Sequence, residues 1–141
     1  MKTRTLIKLV SVLSVLIFTL YISGCGKGEE MGIGPIKEEV KLAANLDKSL
    51  VDKGQLTFNT KCASCHKFDS RLVGPPLKDV TKRRRPEWIM NFITNTDEML
   101  NKDPKAQAQL EICLVRMPNQ NLSDDDARAL YEFQRKNDGV K

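Results

Sequence analysis

Cys62-Ala63-Ser64-Cys65-His66 is the stretch on which the reading of this chain turns. Two cysteines three apart at a helix end can each form a thioether with one vinyl group of a haem, and a histidine directly after the second can reach the iron from below. Two other chemistries use the same residue types. A structural zinc site needs four ligands, and Cys62, Cys65, His66 and Cys113 reach that number once Cys25 is set aside. Zinc sites usually draw on two separated ligand pairs, however, and Cys113 stands alone. A redox dithiol belongs beside a strand of a sheet, and nothing around Cys62 alternates as a strand does. One covalently bound haem c is the reading that the residues favour.

His66 is the only histidine in the sequence, so a second histidine of the same molecule cannot complete the iron's coordination. Methionine is then the expected sixth ligand. Met31 lies in a glycine-rich stretch, while Met90 and Met99 fall in or beside a helical pattern and read as packing residues. Met117 is followed by Pro118, which biases it towards an extended backbone from which its thioether can lie across the iron. Two filled axial positions leave no site for a substrate, so electron transfer is expected and catalysis is not. In the rival reading Met117 is displaceable and the protein is a peroxidase or a gas sensor.

Four segments around this motif carry helix signals, and none reads as a strand. The first runs from Ser49, as N-cap, to Lys61, with Val51, Gly54, Phe58 and Cys62 on one side. The second starts at Pro86 and lines up Trp88, Ile89, Phe92 and Ile93. The third opens at Asp103-Pro104 and groups Leu110, Cys113 and Leu114. The last opens at Ser123, with three aspartates in its first turn at the positive end of the helix dipole and a buried face of Ala127, Leu130 and Phe133. The expected class is all-α, with about four short helices.

At 141 residues the chain has room for one small domain. Lys2, Arg4 and Lys8 precede an apolar run from Leu9 to Ile22, and no acid appears before Glu29, which is the pattern of an export signal. The run is shorter than the roughly 20 apolar residues that a membrane span needs. Much of the formal charge of +5 lies in this segment, so what remains is nearly balanced and a nucleic-acid binder is not expected. Only Lys82-Arg83-Arg84-Arg85 forms a basic run. Ile22-Ser23-Gly24-Cys25 resembles the lipobox of bacterial lipoproteins, which implies an acylated Cys25 and a lipid anchor to a bacterial cell membrane, on its periplasmic or outer-surface side. The expected organisation is a signal over 1–24, a flexible tether over 25–45 and the domain over 46–141. The domain is poor in apolar side chains for its size, and a bound haem would complete its core.

From Lys48 to Lys136 the sequence resembles the class I c-type cytochromes, in which Gly54 and Phe58 match the family's glycine and aromatic residue before the first haem cysteine. The resemblance implies terminal helices that cross, with Leu130 and Phe133 against that pair. It also implies that Pro75, in Gly74-Pro75-Pro76-Leu77, offers its carbonyl to His66, and that Trp88 contacts a haem propionate; in the basic run, which can be a solvated turn, a propionate clamp or a docking patch for an acidic partner, Arg85 is nearest to Trp88 and its planar fork suits the clamp. Thr57 and Gln134 depart from the family pattern, each standing where an aliphatic residue is usual. The implied role is a monomeric carrier exchanging electrons with protein redox partners, between a respiratory donor and a terminal oxidase or reductase.

Overall fold

Local signals fix the ends of the longer helices in the computed structural model, which describes residues 31–141. The signal segment and Cys25 lie outside the described residues. The helices are α1 (Lys48–Lys61), α2 (Val80–Arg83), α3 (Pro86–Thr94), α4 (Thr96–Lys102), α5 (Pro104–Cys113) and α6 (Asp124–Asn137), with no strand among the described residues. Asp103 caps α5 by accepting from the Ala106 N–H, and Ser123 forms a reciprocal capping box with Asp126. The expected cap of α1 shifts by two residues. Asp47, not Ser49, accepts from the N–H groups of Ser49 and Leu50, since a carboxylate is the stronger acceptor at a positive helix end.

Two helices were not expected. α2 is a single turn whose start is held from far away: Asp138, just past α6, accepts from the N–H groups of Asp79 and Thr81 at 2.6 and 2.9 Å. α4 follows α3 after Asn95 alone, so the pattern around Trp88 gives no gap in which to see a second helix.

α1 and α6 pack against each other as the resemblance implied. Their approach depends on Gly54, where an added Cβ would lie 2.0 Å from the Ala129 carbonyl oxygen. Phe58, Phe68 and Phe133 form a triangle of rings with centroids 5.1 to 5.7 Å apart beside this contact. Each buried ring contributes roughly 1.5–3 kcal/mol through the apolar area it removes from water. The second half of the core gathers Trp88, Met90, Met99, Leu100 and Tyr131 from α3, α4 and α6.

The largest correction concerns the tether. Its second half belongs to the domain, because Ile33, Ile36, Val40 and Leu42 pack on the Trp88 cluster. Distant side chains satisfy its backbone: Ile36 and Val40 donate N–H to Asn91 Oδ1 and Glu87 Oε1 at 2.8 and 2.7 Å, and Arg135 donates to Ala43 O at 2.8 Å. The boundary expected near Leu46 is therefore too late. Glycines and the absence of periodicity suggested a free spacer, but here they serve close approach: a Cβ on Gly34 would lie 2.4 Å from Asn91 Oδ1.

Candidate haem-binding site

α1 ends at the cysteine pair, and the chain then turns back on itself. Cys65 and His66 both donate N–H to Cys62 O, at 3.0 and 2.9 Å, which keeps the pair in a tight turn. The returning strand of chain is bonded to it, with Gly74 donating to Cys65 O at 2.8 Å and Leu77 to Lys67 O at 3.0 Å. Gly74 lies flat against the imidazole, and a Cβ there would be 2.3 Å from His66 Cε1. Nδ1 of His66 is 3.0 Å from Pro75 O. A carbonyl can only accept, so Nδ1 carries the proton and Nε2 keeps its lone pair for a metal.

Cys62, Cys65, His66 and Met117 line one pocket, whose walls are largely apolar and include Phe58, Leu77, Ile93 and Leu130. Burial, and the neighbouring Cys65, push the Cys62 thiol up to about 11. Among the described residues no three His, Cys, Asp or Glu side chains come together to hold a metal ion, so Cys113 does not join the others as a zinc set. Cys113 is buried in the same wall and accepts from Gln109 Nε2 at 3.3 Å. Leu114, expected beside it, is instead 83% exposed, because the chain leaves α5 there in a left-handed conformation. The donor set and the apolar walls fit a covalently attached haem.

Trp88 and Arg85, the residues expected at a propionate, both have partners within the chain. Trp88 lines the pocket with its ring, but its only N–H donates to Asp103 Oδ1 at 3.2 Å. Arg85 pairs with the buried carboxylate of Glu87 at 3.1 Å and is not part of the pocket wall. Burial alone would raise the Glu87 carboxyl, yet the Val40 N–H, its own N–H and Arg85 together hold it below the usual range. The arginines that line the pocket are Arg83, Arg84 and Arg116, with the Arg84 guanidinium 4.9 Å from the centre of the Trp88 ring. Sequence reasoning chose Arg85 because it is nearest to Trp88 along the chain, whereas the turn of α2 decides which arginine faces inward. Gln134 was singled out as a departure and lies one helical turn after Leu130 in the wall. Its Oε1 is buried without a hydrogen-bond partner.

Comparison with known proteins agrees with this geometry. The cytochrome c family model matches residues 51–137. The chain is similar to cytochrome c-551 of Stutzerimonas stutzeri, with 26% identity over 92 residues that cover 64% of this chain and 83% of that protein. The solved structure of cytochrome c from Rhodothermus marinus superposes with a TM-score of 0.73 at 36% identity, covering 80% of this chain and 95% of the other. An engineered form of that Rhodothermus protein gives a TM-score of 0.72 at the same 36% identity, over 78% and 93% of the two chains.

Proposed function

The chain belongs to the cytochrome c family, and on that premise we propose that it carries single electrons with its iron held between His66 and Met117, at a membrane to which an acylated Cys25 anchors it. Members of the family are typically electron carriers that catalyse no reaction of their own. Haem c, when bound, supplies the iron that takes up and gives back one electron. Cys62 and Cys65 fix the ring to the end of α1, and Pro75 orients His66 and makes it a better donor to the metal. The apolar walls exclude water, and methionine ligation favours the ferrous state and so raises the potential.

The observation that carries this reading is that His66, with Nδ1 taken by a carbonyl, shares one apolar pocket with a single accessible thioether donor, Met117. Met99 cannot compete, because it is fully buried and its sulfur accepts from the Ile33 N–H at 2.9 Å. Two acyl chains on Cys25 are enough to hold a protein stably on a bilayer, whereas one is marginal. Among the described residues no helix is long and apolar enough to cross a membrane. The partners proposed are a respiratory donor complex and a terminal oxidase or reductase, reached by a monomer.

The test is a visible spectrum and an intact mass of the matured protein, with and without Met117→Ala. The parent should show the methionine-to-iron charge-transfer band at the red end of the ferric spectrum, and the variant should lose it. The mass should exceed the polypeptide by one haem and by acyl chains. A mass equal to polypeptide plus lipid alone would end the haem assignment, and a haem-bearing protein without acyl chains would end only the anchor.

A further inference from the structure

We propose that Arg116, assisted by Arg71, is a positioning residue that holds the Met117 segment against the pocket and so keeps the thioether on the iron. This rests on the reading of Met117 as the axial ligand. Residues 114–123 have no regular structure. The segment opens at Leu114 with φ 60° and passes through Asn121 with φ 51°, both in the left-handed region that favours glycine. Within it, Gln120 Nε2 donates to Pro118 O and the Asn121 N–H to Asn119 Oδ1, so these bonds tie the segment only to itself.

Among the described residues, every hydrogen bond that joins residues 115–122 to another part of the fold comes from the Arg116 guanidinium. Its Nη2 faces Asp97 O at 3.3 Å, Asp97 Oδ1 at 3.2 Å and Asn101 Oδ1 at 3.0 Å, all on α4. At the root of the segment, Arg71 Nη2 donates to Cys113 O at 2.8 Å, one of the carbonyls that the end of α5 leaves open. Arg71 belongs to the same returning chain as Pro75, so this bond links the histidine side of the pocket to the methionine side.

Both ends of the Arg116 pair are substantially exposed, with the arginine side chain at 43% and Asp97 at 60%. Pairs of that kind add little to global stability. A modest anchor can still govern a local equilibrium when it is the only polar one and the residue next to it is the ligand. Loss of the anchor should therefore expose the iron without unfolding the domain.

The experiment uses the haem-loaded protein and compares Arg116→Ala, Arg116→Lys, the pair Asp97→Ala/Asn101→Ala and Arg71→Gln. The readouts are the rate of carbon monoxide binding to the reduced form, the ferric charge-transfer band and the denaturant midpoint. Arg116→Ala should bind carbon monoxide about fivefold faster and show a weaker band, since the open population follows the lost anchoring energy, while the midpoint moves little. The α4 pair should reproduce this from the other partner, Arg116→Lys should fall between, and Arg71→Gln should add a smaller increase. Carbon monoxide binding and band unchanged in both Arg116→Ala and the α4 pair would overturn the proposal. If Arg116→Ala unfolds, the α4 pair and Arg116→Lys decide it by the same two spectroscopic readouts. Met117→Ala separates the premise: a band that survives that change means the axial reading has failed, whereas a lost band with unaltered Arg116 and α4 variants means that only the anchor has.

Discussion

On the histidine side of the pocket the main chain does the holding, whereas on the methionine side a side chain does. Gly74 and Leu77 bond back to Cys65 and Lys67, Pro75 accepts from His66, and Gly74, which has no Cβ, lets the chain pass close to the ring. Across the pocket, residues 115–122 reach the rest of the fold through one guanidinium, helped by Leu122, which packs with Phe58 and Phe133. The difference teaches that the two proposed axial donors differ in more than element. One is fixed by backbone geometry that mutation cannot easily remove, and the other is held by a contact that a single substitution deletes. Ligand exchange, where it happens, belongs to the methionine side.

The strongest way to break this contrast is to disturb the fixed side. Gly74→Val forces its side chain into the His66 ring and should lower the stability of the loaded domain by about 3 kcal/mol or more, read from the denaturant midpoint. Met117→Ala on the other side should cost less, about 2 kcal/mol of stability, while lowering the reduction potential and admitting added imidazole to the iron, which titration with imidazole measures.

Acid should sharpen the contrast at a third place, the N-terminal stretch over 33–46. Burial raises the carboxyls of Glu87 and Glu132, but the Val40 N–H and Arg85 at the first, and Arg128, the Asp47 N–H and Arg135 at the second, hold both below their ordinary value of 4.5. A depressed carboxylate contributes stability that is fully present above that value and is lost as the pH falls through the lowered one. Amide exchange, corrected for its intrinsic pH dependence, should therefore show Val40 and Asp47 losing protection below about pH 4.5 before Gly74 does. Equal loss at all three would mean that the carboxylates do not secure the stretch. The smallest effect expected is a gain: Leu114→Gly relieves a left-handed residue with an exposed side chain and should raise the midpoint by the equivalent of about 1 kcal/mol.

What could be read in the sequence was what is local. Pro86, Asp103-Pro104 and Ser123 with Asp126 sit within one turn of the helix ends that they define, and Cys62, Cys65 and His66 are adjacent in the chain. Gly54 and Phe58 were legible through resemblance, since the spacing to Cys62 carries the pattern. What was missed depends on partners far away. Glu87, Asn91 and Arg135 complete the hydrogen bonds of the stretch over 33–46, and no window of sequence contains both halves. Asp103, which accepts from the Trp88 ring N–H, lies 15 residues on. Arg84 and Arg85 are neighbours in the chain, and only the path of α2 separates the one above an indole from the one beside a buried acid.

The contact at Gly54 has a consequence in time. Its neighbours, Ala129 and Phe133, come long after the cysteines in the chain, so a ribosome releases the thiols well before the helix that closes over them. A contact of such sequence separation is slow to form and leaves the partly made chain with apolar rings in water. A nascent chain halted before Asp124 would thus present both cysteines and yet possess no enclosure for whatever is joined to them.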